Sequence, residues 1–298
     1  MKKILYMVFV ALLTAVTGPV WGQSQHTLGN IPQGWTVTAD GQSVTVTNGT
    51  ATIADGATVT LDNETINGTN NQNYNWAGIT CLGNATLILK DGTEDTVKGF
   101  FDEYPGIYVP VNSTLTIQGG ASGTGKLIAS SNGYGAGIGA GLNHKSCGNI
   151  VIQGGNIVAT GGLYAAGIGG AYVSTCGDIE ITGGNIKAKG GVGAAGIGGG
   201  RGANCGDINI SGGTIIAEGG EDAAGIGGGG PIDTYTHCGS ITISSNVTSV
   251  TATAKTSAQN PAPNSIGAGK NGTGGAVTIG NTDYPDGISI NPYTYPQP

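Results

Sequence analysis

The chain has 298 residues, a formal charge of −7, 10% charged side chains and 59 glycines. That glycine content approaches low-complexity composition, yet the glycines follow no G-X-Y triplet and are interleaved with regularly placed isoleucines, which argues against collagen and against disorder. A single arginine, Arg201, and singly scattered lysines leave no basic stripe, so nucleic acid is a poor partner.

Residues 1–22 read as a secretory leader. Lys2 and Lys3 precede an apolar run from Ile4 to Val16, and Gly18-Pro19 and Gly22 follow. The run is too short to span a bilayer, cleavage is expected near Gly22, and no later stretch approaches the ~20 apolar residues of a membrane helix. The expected location is therefore secreted or cell-surface, with the periplasm also compatible. No cysteine lies near the cleavage point to accept a lipid.

Residues 23–56 are predicted to form an N-terminal β cap, because the weak alternation from Thr27 to Asn48 suits short strands that cover an open stack end. A repeating region follows over residues 57–280. Apolar pairs at i and i+2 recur as Val59/Leu61, Leu87/Leu89, Leu115/Ile117, Ile150/Ile152, Ile179/Ile181, Ile208/Ile210, Ile241/Ile243 and Val277/Ile279. Cys147, Cys176 and Cys205 open three near-identical units 29 residues apart. A fixed period of this kind marks stacked units that cannot bury their apolar faces alone.

Two more columns accompany the first. One runs Ile79, Ile107, Ile138, Ile168, Ile197, Ile226 and Ile266; the other runs Leu127, Ile157, Ile186 and Ile215, with Ala129, Ala159, Ala188 and Ala217 two residues on. Three strands per turn, alternating apolar and polar, predict an all-β, right-handed, three-sided parallel β-helix of about eight coils with end caps. Gly154-Gly155, Gly183-Gly184 and Gly212-Gly213 fall at one corner, where a positive φ or close backbone approach is required. Residues 281–298 carry four prolines and suit a C-terminal cap or tail.

The AGIGGG, CGDIxI and GGxIxAxGG elements, between roughly Asn75 and Thr251, resemble glycine-rich β-helix proteins of bacterial surfaces. More distantly the sequence is similar to pectate-lyase-like solenoids, which include carbohydrate-binding domains. The resemblance implies an adhesin or carbohydrate-binding role; no lyase catalytic motif matches residue by residue.

Several constellations invite chemistry. Cys147, Cys176, Cys205 and Cys238 share one repeat position, where stacking at about 4.8 Å permits disulfides along the column or an inward ladder of thiols. His144 and His237 lie three coils apart, on the order of 14 Å, too far to share a zinc ion. Asp178 and Asp207, with Asn149 and Ser240, suit turn-capping Asx side chains better than calcium. The phosphate-loop lookalikes at 120–126 and 267–272 open no helix and read as turns, so no metal and no cofactor is expected. Asp91, Glu94, Asp95, Asp102 and Glu103 form the densest carboxylate group, in what read as loops.

The principal candidate is aromatic. Trp76, Tyr104, Tyr134 and Tyr164 precede successive column isoleucines by three or four residues and fall near one corner, with Asp102 and Glu103 close by; Gly193 and Asp222 replace them in the next coils. Such a stripe either binds a glycan, by ring stacking, or closes the corner structurally. The expectation is an exported, non-enzymatic surface β-helix that binds carbohydrate or a host or cell-surface polymer. A polysaccharide-degrading lyase or glycosidase and an inert stalk are the alternatives.

Overall fold

The computed structural model describes residues 35–39, 42–47, 50–68, 70, 72–142, 146–232, 236–257 and 263–296. The expected leader at residues 1–22 and His144 lie outside them.

The protein is a parallel β-solenoid, and no helix occurs among the described residues. Three sheets run its length. Eight parallel strands from Thr50–Ile53 to Ile266–Gly267 form the first sheet, eight from Ala57–Leu61 to Val277–Ile279 the second, and seven from Thr65–Asn67 to Ser249–Lys255 the third. That makes seven complete coils and two strands of an eighth, close to the expected eight. Thr50–Ile53, counted with the cap in the sequence, already belongs to the stack, because it pairs in parallel with Ile79–Cys81.

Inside and outside follow the alternation. Ile179, Ile181, Ile208 and Ile210 are buried while Glu180 and Asn209 between them are exposed. The register departs from the sequence in one place. Ile117 pairs with Leu87, and Leu115 with Ala85, so Leu115/Ile117 does not stack on Leu87/Leu89. A slip of two residues leaves every side chain on its own face, which is why period-2 patterning could not detect it.

At the predicted corner the second glycine of each pair has positive φ: 89° at Gly155, 95° at Gly184 and 89° at Gly213. The first sheet carries a column that hydrophobic periodicity missed. Gly139, Gly169, Gly198, Gly227 and Gly267 stack in register with φ between 126° and 133°. A methyl group on any of the first four would overlap the carbonyl of the next glycine in the column.

Antiparallel strands extend the first sheet at the N-terminal end and the other two at the C-terminal end. Trp35–Ala39 and Gln42–Thr47 extend the first sheet onto Thr50–Ile53. Thr282–Tyr284 covers the second sheet and Tyr293–Tyr295 the third. At these positions the antiparallel strands cover the last parallel strand, on which a further coil would otherwise stack.

Candidate binding face at the aromatic corner

The four predicted rings lie where the third sheet hands over to the first, but they divide into two groups. Trp76 packs with Tyr74 at a centroid distance of 5.3 Å and with Phe100 at 5.9 Å. Phe100 is buried, Trp76 and Tyr74 pack against the core, and the Trp76 Nε1 is buried without a hydrogen-bond partner. This group forms the wall of the early coils. Tyr104 continues the corner: its carbonyl accepts the Ser131 hydroxyl at 2.8 Å, and its backbone lies against Gly135.

The second group is a surface row. Tyr134 and Tyr164 are 5.8 Å apart at centroids with planes 31° apart, and Tyr172 joins them at 5.2 Å from Tyr164 and 6.4 Å from Tyr134. All three are half-buried. The Arg201 guanidinium lies over the Tyr164 ring at 4.9 Å, and its Nε donates to the Pro231 carbonyl at 3.4 Å. A cation over a ring face is attracted by the ring quadrupole. Asp102 and Glu103 border the row, since the amides of Tyr134 and Leu142 donate to their carbonyl oxygens.

Sequence reading missed Tyr172 and Arg201. Both come from the turn after the first sheet, and their spacing of 29 residues was the available signal. Gly193 is where the row would continue, and a Cβ there would stand 2.7 Å from the Arg201 Cδ. The arginine fills the space that a next ring would take. One coil further on, Asp222 accepts from Ser257 and from Lys270, whose Nζ is 3.4 Å away.

The remaining candidates are committed elsewhere. Asp91 accepts the amides of Ser122 at 2.8 Å and Thr124 at 3.0 Å, and these bonds hold its carboxyl down at about 2. Glu94 pairs with Lys126 at 2.8 Å. Contrary to the loop expectation, Glu94 and Asp95 belong to a strand, Glu94–Lys98, and Asp95 points inward at the column position of Leu127. It is fully buried, accepts the Glu64 amide at 2.7 Å, and leaves Oδ2 unpartnered. Glu64, 2% exposed, occupies the adjoining inward position, and burial together with Asp95 pushes its carboxyl up to about 7. Neither the alternation nor the repeat signalled this pair.

The Asx column caps turns. Asn149 accepts the Asp178 amide, Asp178 the Asp207 amide and Asp207 the Ser240 amide, at 2.9, 2.9 and 2.7 Å. The turn at 267–272 helps line a cavity of about 420 Å³ at the C-terminal end, remote from the tyrosine row. Cys147, Cys176, Cys205 and Cys238 form the expected inward column, with Cys205 and Cys238 joined as a disulfide and the other two present as buried thiols.

Fold and column chemistry together define a repeat-built β-solenoid. Three of its coils, residues 150–172, 179–201 and 208–230, match the family model described as a beta helix repeat, under a quarter of the chain. No curated protein and no solved structure matches the chain.

Proposed function

We propose that the protein is an exported, non-enzymatic surface β-solenoid that binds carbohydrate, as an adhesin or glycan platform, through the row Tyr134, Tyr164 and Tyr172. The observation that carries this reading is a group of three partly exposed rings from two successive coils, at 5.2 to 6.4 Å spacing, with a cation at one end. Aromatic faces bury the apolar side of a sugar ring at little entropic cost, while neighbouring polar groups orient its hydroxyls. The carboxylates of Asp91, Glu94 and Asp95 meanwhile hold turns, a lysine or the interior, which leaves them poorly placed for acid/base work on a substrate.

A glycan array with the mature chain from Gln23 tests the proposal. Tyr164→Ala and Tyr172→Ala are expected to lower retention of the bound glycan by about fivefold each, since losing one stacked ring costs on the order of 1 kcal/mol. Melting is measured on the same samples. Lower melting with unchanged retention would make the row a structural closure, and an array with no retained glycan would favour the inert stalk.

A further inference from the structure

We propose that Cys147 and Cys176 form a second disulfide, so that the four stacked cysteines close as two bridges, Cys147–Cys176 and Cys205–Cys238.

One backbone frame repeats along the cysteine column. Where the chain carries a disulfide, the Cys205 amide donates to the His237 carbonyl at 2.9 Å and the Gly239 amide donates to the Cys205 carbonyl at 3.0 Å. The Cys147 step has the same frame: its amide donates to the Thr175 carbonyl at 2.9 Å, and the Gly177 amide donates to its carbonyl at 3.1 Å. The Cα atoms of the bonded pair are 4.6 Å apart, and a shared frame brings the same separation within reach at Cys147.

Side-chain placement agrees. Cys147 and Cys176 direct Sγ at the carbonyls of Gly169 and Gly198, at 3.6 and 3.7 Å. Cys238 instead turns back, with Sγ 3.8 Å from the Gly206 carbonyl beside Cys205. One rotation of the Cys176 side chain, toward the equivalent Gly148, reproduces that arrangement. Pairing also has one complete solution. A Cys176–Cys205 bridge would strand Cys147 and Cys238 three coils apart, on the order of 14 Å, whereas the proposed pairing uses all four cysteines.

The chemistry needs an external disulfide, of protein or glutathione type. A Cys thiolate attacks it and forms a mixed disulfide, releasing one thiolate. The second Cys thiolate then displaces the other half. The chain loses two thiol protons and two electrons, and the oxidant leaves as two thiols. Cys147 is held protonated by the neighbouring Cys176 thiol and by burial, so the exchange belongs to folding, before the coils close.

The chain supplies its own test. Trypsin cuts after Lys145, Lys187, Arg201 and Lys255, so Cys147 and Cys176 share the peptide Ser146–Lys187 while Cys205 and Cys238 share Gly202–Lys255. Protein refolded with glutathione disulfide is unfolded without reductant, alkylated, digested and weighed. The proposal expects Ser146–Lys187 unlabelled and two hydrogens light. Two labels on it, or its cross-linking to Gly202–Lys255, would overturn the pairing. If refolding fails, the same map is made on protein purified without reductant. A Cys147→Ser variant must then carry one label on the shorter peptide, and its absence would also count against the pair.

Discussion

The coils between Cys147 and Gly230 and those between Thr50 and Gly141 fill one cross-section with different side chains. At the outer position of the first sheet the central coils carry Gly169, Gly198 and Gly227, whereas the early coils carry Thr52, Thr80 and Tyr108. At the inner position of the third sheet Ile157, Ile186 and Ile215 stand in line with Asp95. Tight corners made by Gly184 and Gly213 are matched by a turn that the Asp91 carboxylate holds. The central coils depend on identity with their neighbours, because each glycine leaves room for the next backbone. In the early coils Asp91 and Asp95 replace such repetition with partners of their own, the Ser122 and Thr124 amides and the Glu64 amide.

A methyl group in the glycine column should damage the central coils most. Gly198→Ala places a Cβ against the Gly227 carbonyl at a φ of 127°, so strain and backbone overlap add. The expected loss is about 3 to 6 kcal/mol, enough to unravel the central stack. Tyr108→Gly, one column position from Gly139, should fold. Circular dichroism melting of both variants checks this, and a folded Gly198→Ala with a melting temperature near the parent's would show that the column is not a steric requirement.

The core is next. Ile181→Ala removes a fully buried side chain from a column with no room to collapse and should cost about 2 to 5 kcal/mol, while Glu180→Ala, at an exposed position, should stay within about 0.5 kcal/mol. Equal losses would mean that the two faces have been exchanged.

Sequence legibility divides along the same line. The architecture was readable because Ile150/Ile152, Ile179/Ile181 and Ile208/Ile210 alternate inside and out at a constant period, which only stacked coils satisfy. The positive φ at Gly155 was readable too, since a Gly-Gly pair at a corner has few other uses. The candidate face was half legible. Tyr134 and Tyr164 share a repeat offset, but Trp76 joined the wall with Phe100, and Tyr172 and Arg201 reached the row from another turn. A column of offsets says which residues share a corner. It does not say how far a long side chain leans out of its own coil. Asp95 escaped for a simpler reason: a carboxylate in a polar-looking stretch, TEDTVK, gives no sign that it points inward.

That buried pair provides the smallest and most local test. Glu64 and Asp95 are held at about 7 and about 6, above their ordinary values, chiefly by burial; the Asp95 and Asp62 charges add to the rise at Glu64, and Asp62 and Glu94 to that at Asp95. The charges around them are largely engaged, Asp62 with Lys90 and Glu94 with Lys126. An acid whose folded pKa lies above its unfolded value stabilises the fold while protonated. The contribution of Glu64 is therefore complete below about 4.5 and is lost as pH rises through about 7. Asp91 works in the opposite sense, contributing above about 4 and failing only as pH falls toward 2. The early coils should therefore melt at a higher temperature at pH 5 than at pH 8. Trp76 packs in the wall of those coils, and the stretch between Cys147 and Gly230 contains no tryptophan. The melting transition followed by tryptophan fluorescence should shift with pH more than the transition followed by circular dichroism over the whole chain. Glu64→Gln should raise the early transition at pH 8 and leave it nearly unchanged at pH 5. An early transition that instead rises from pH 5 to pH 8 would mean that the two carboxyls are ionised and solvated, and that the early coils are wetter inside than their packing indicates.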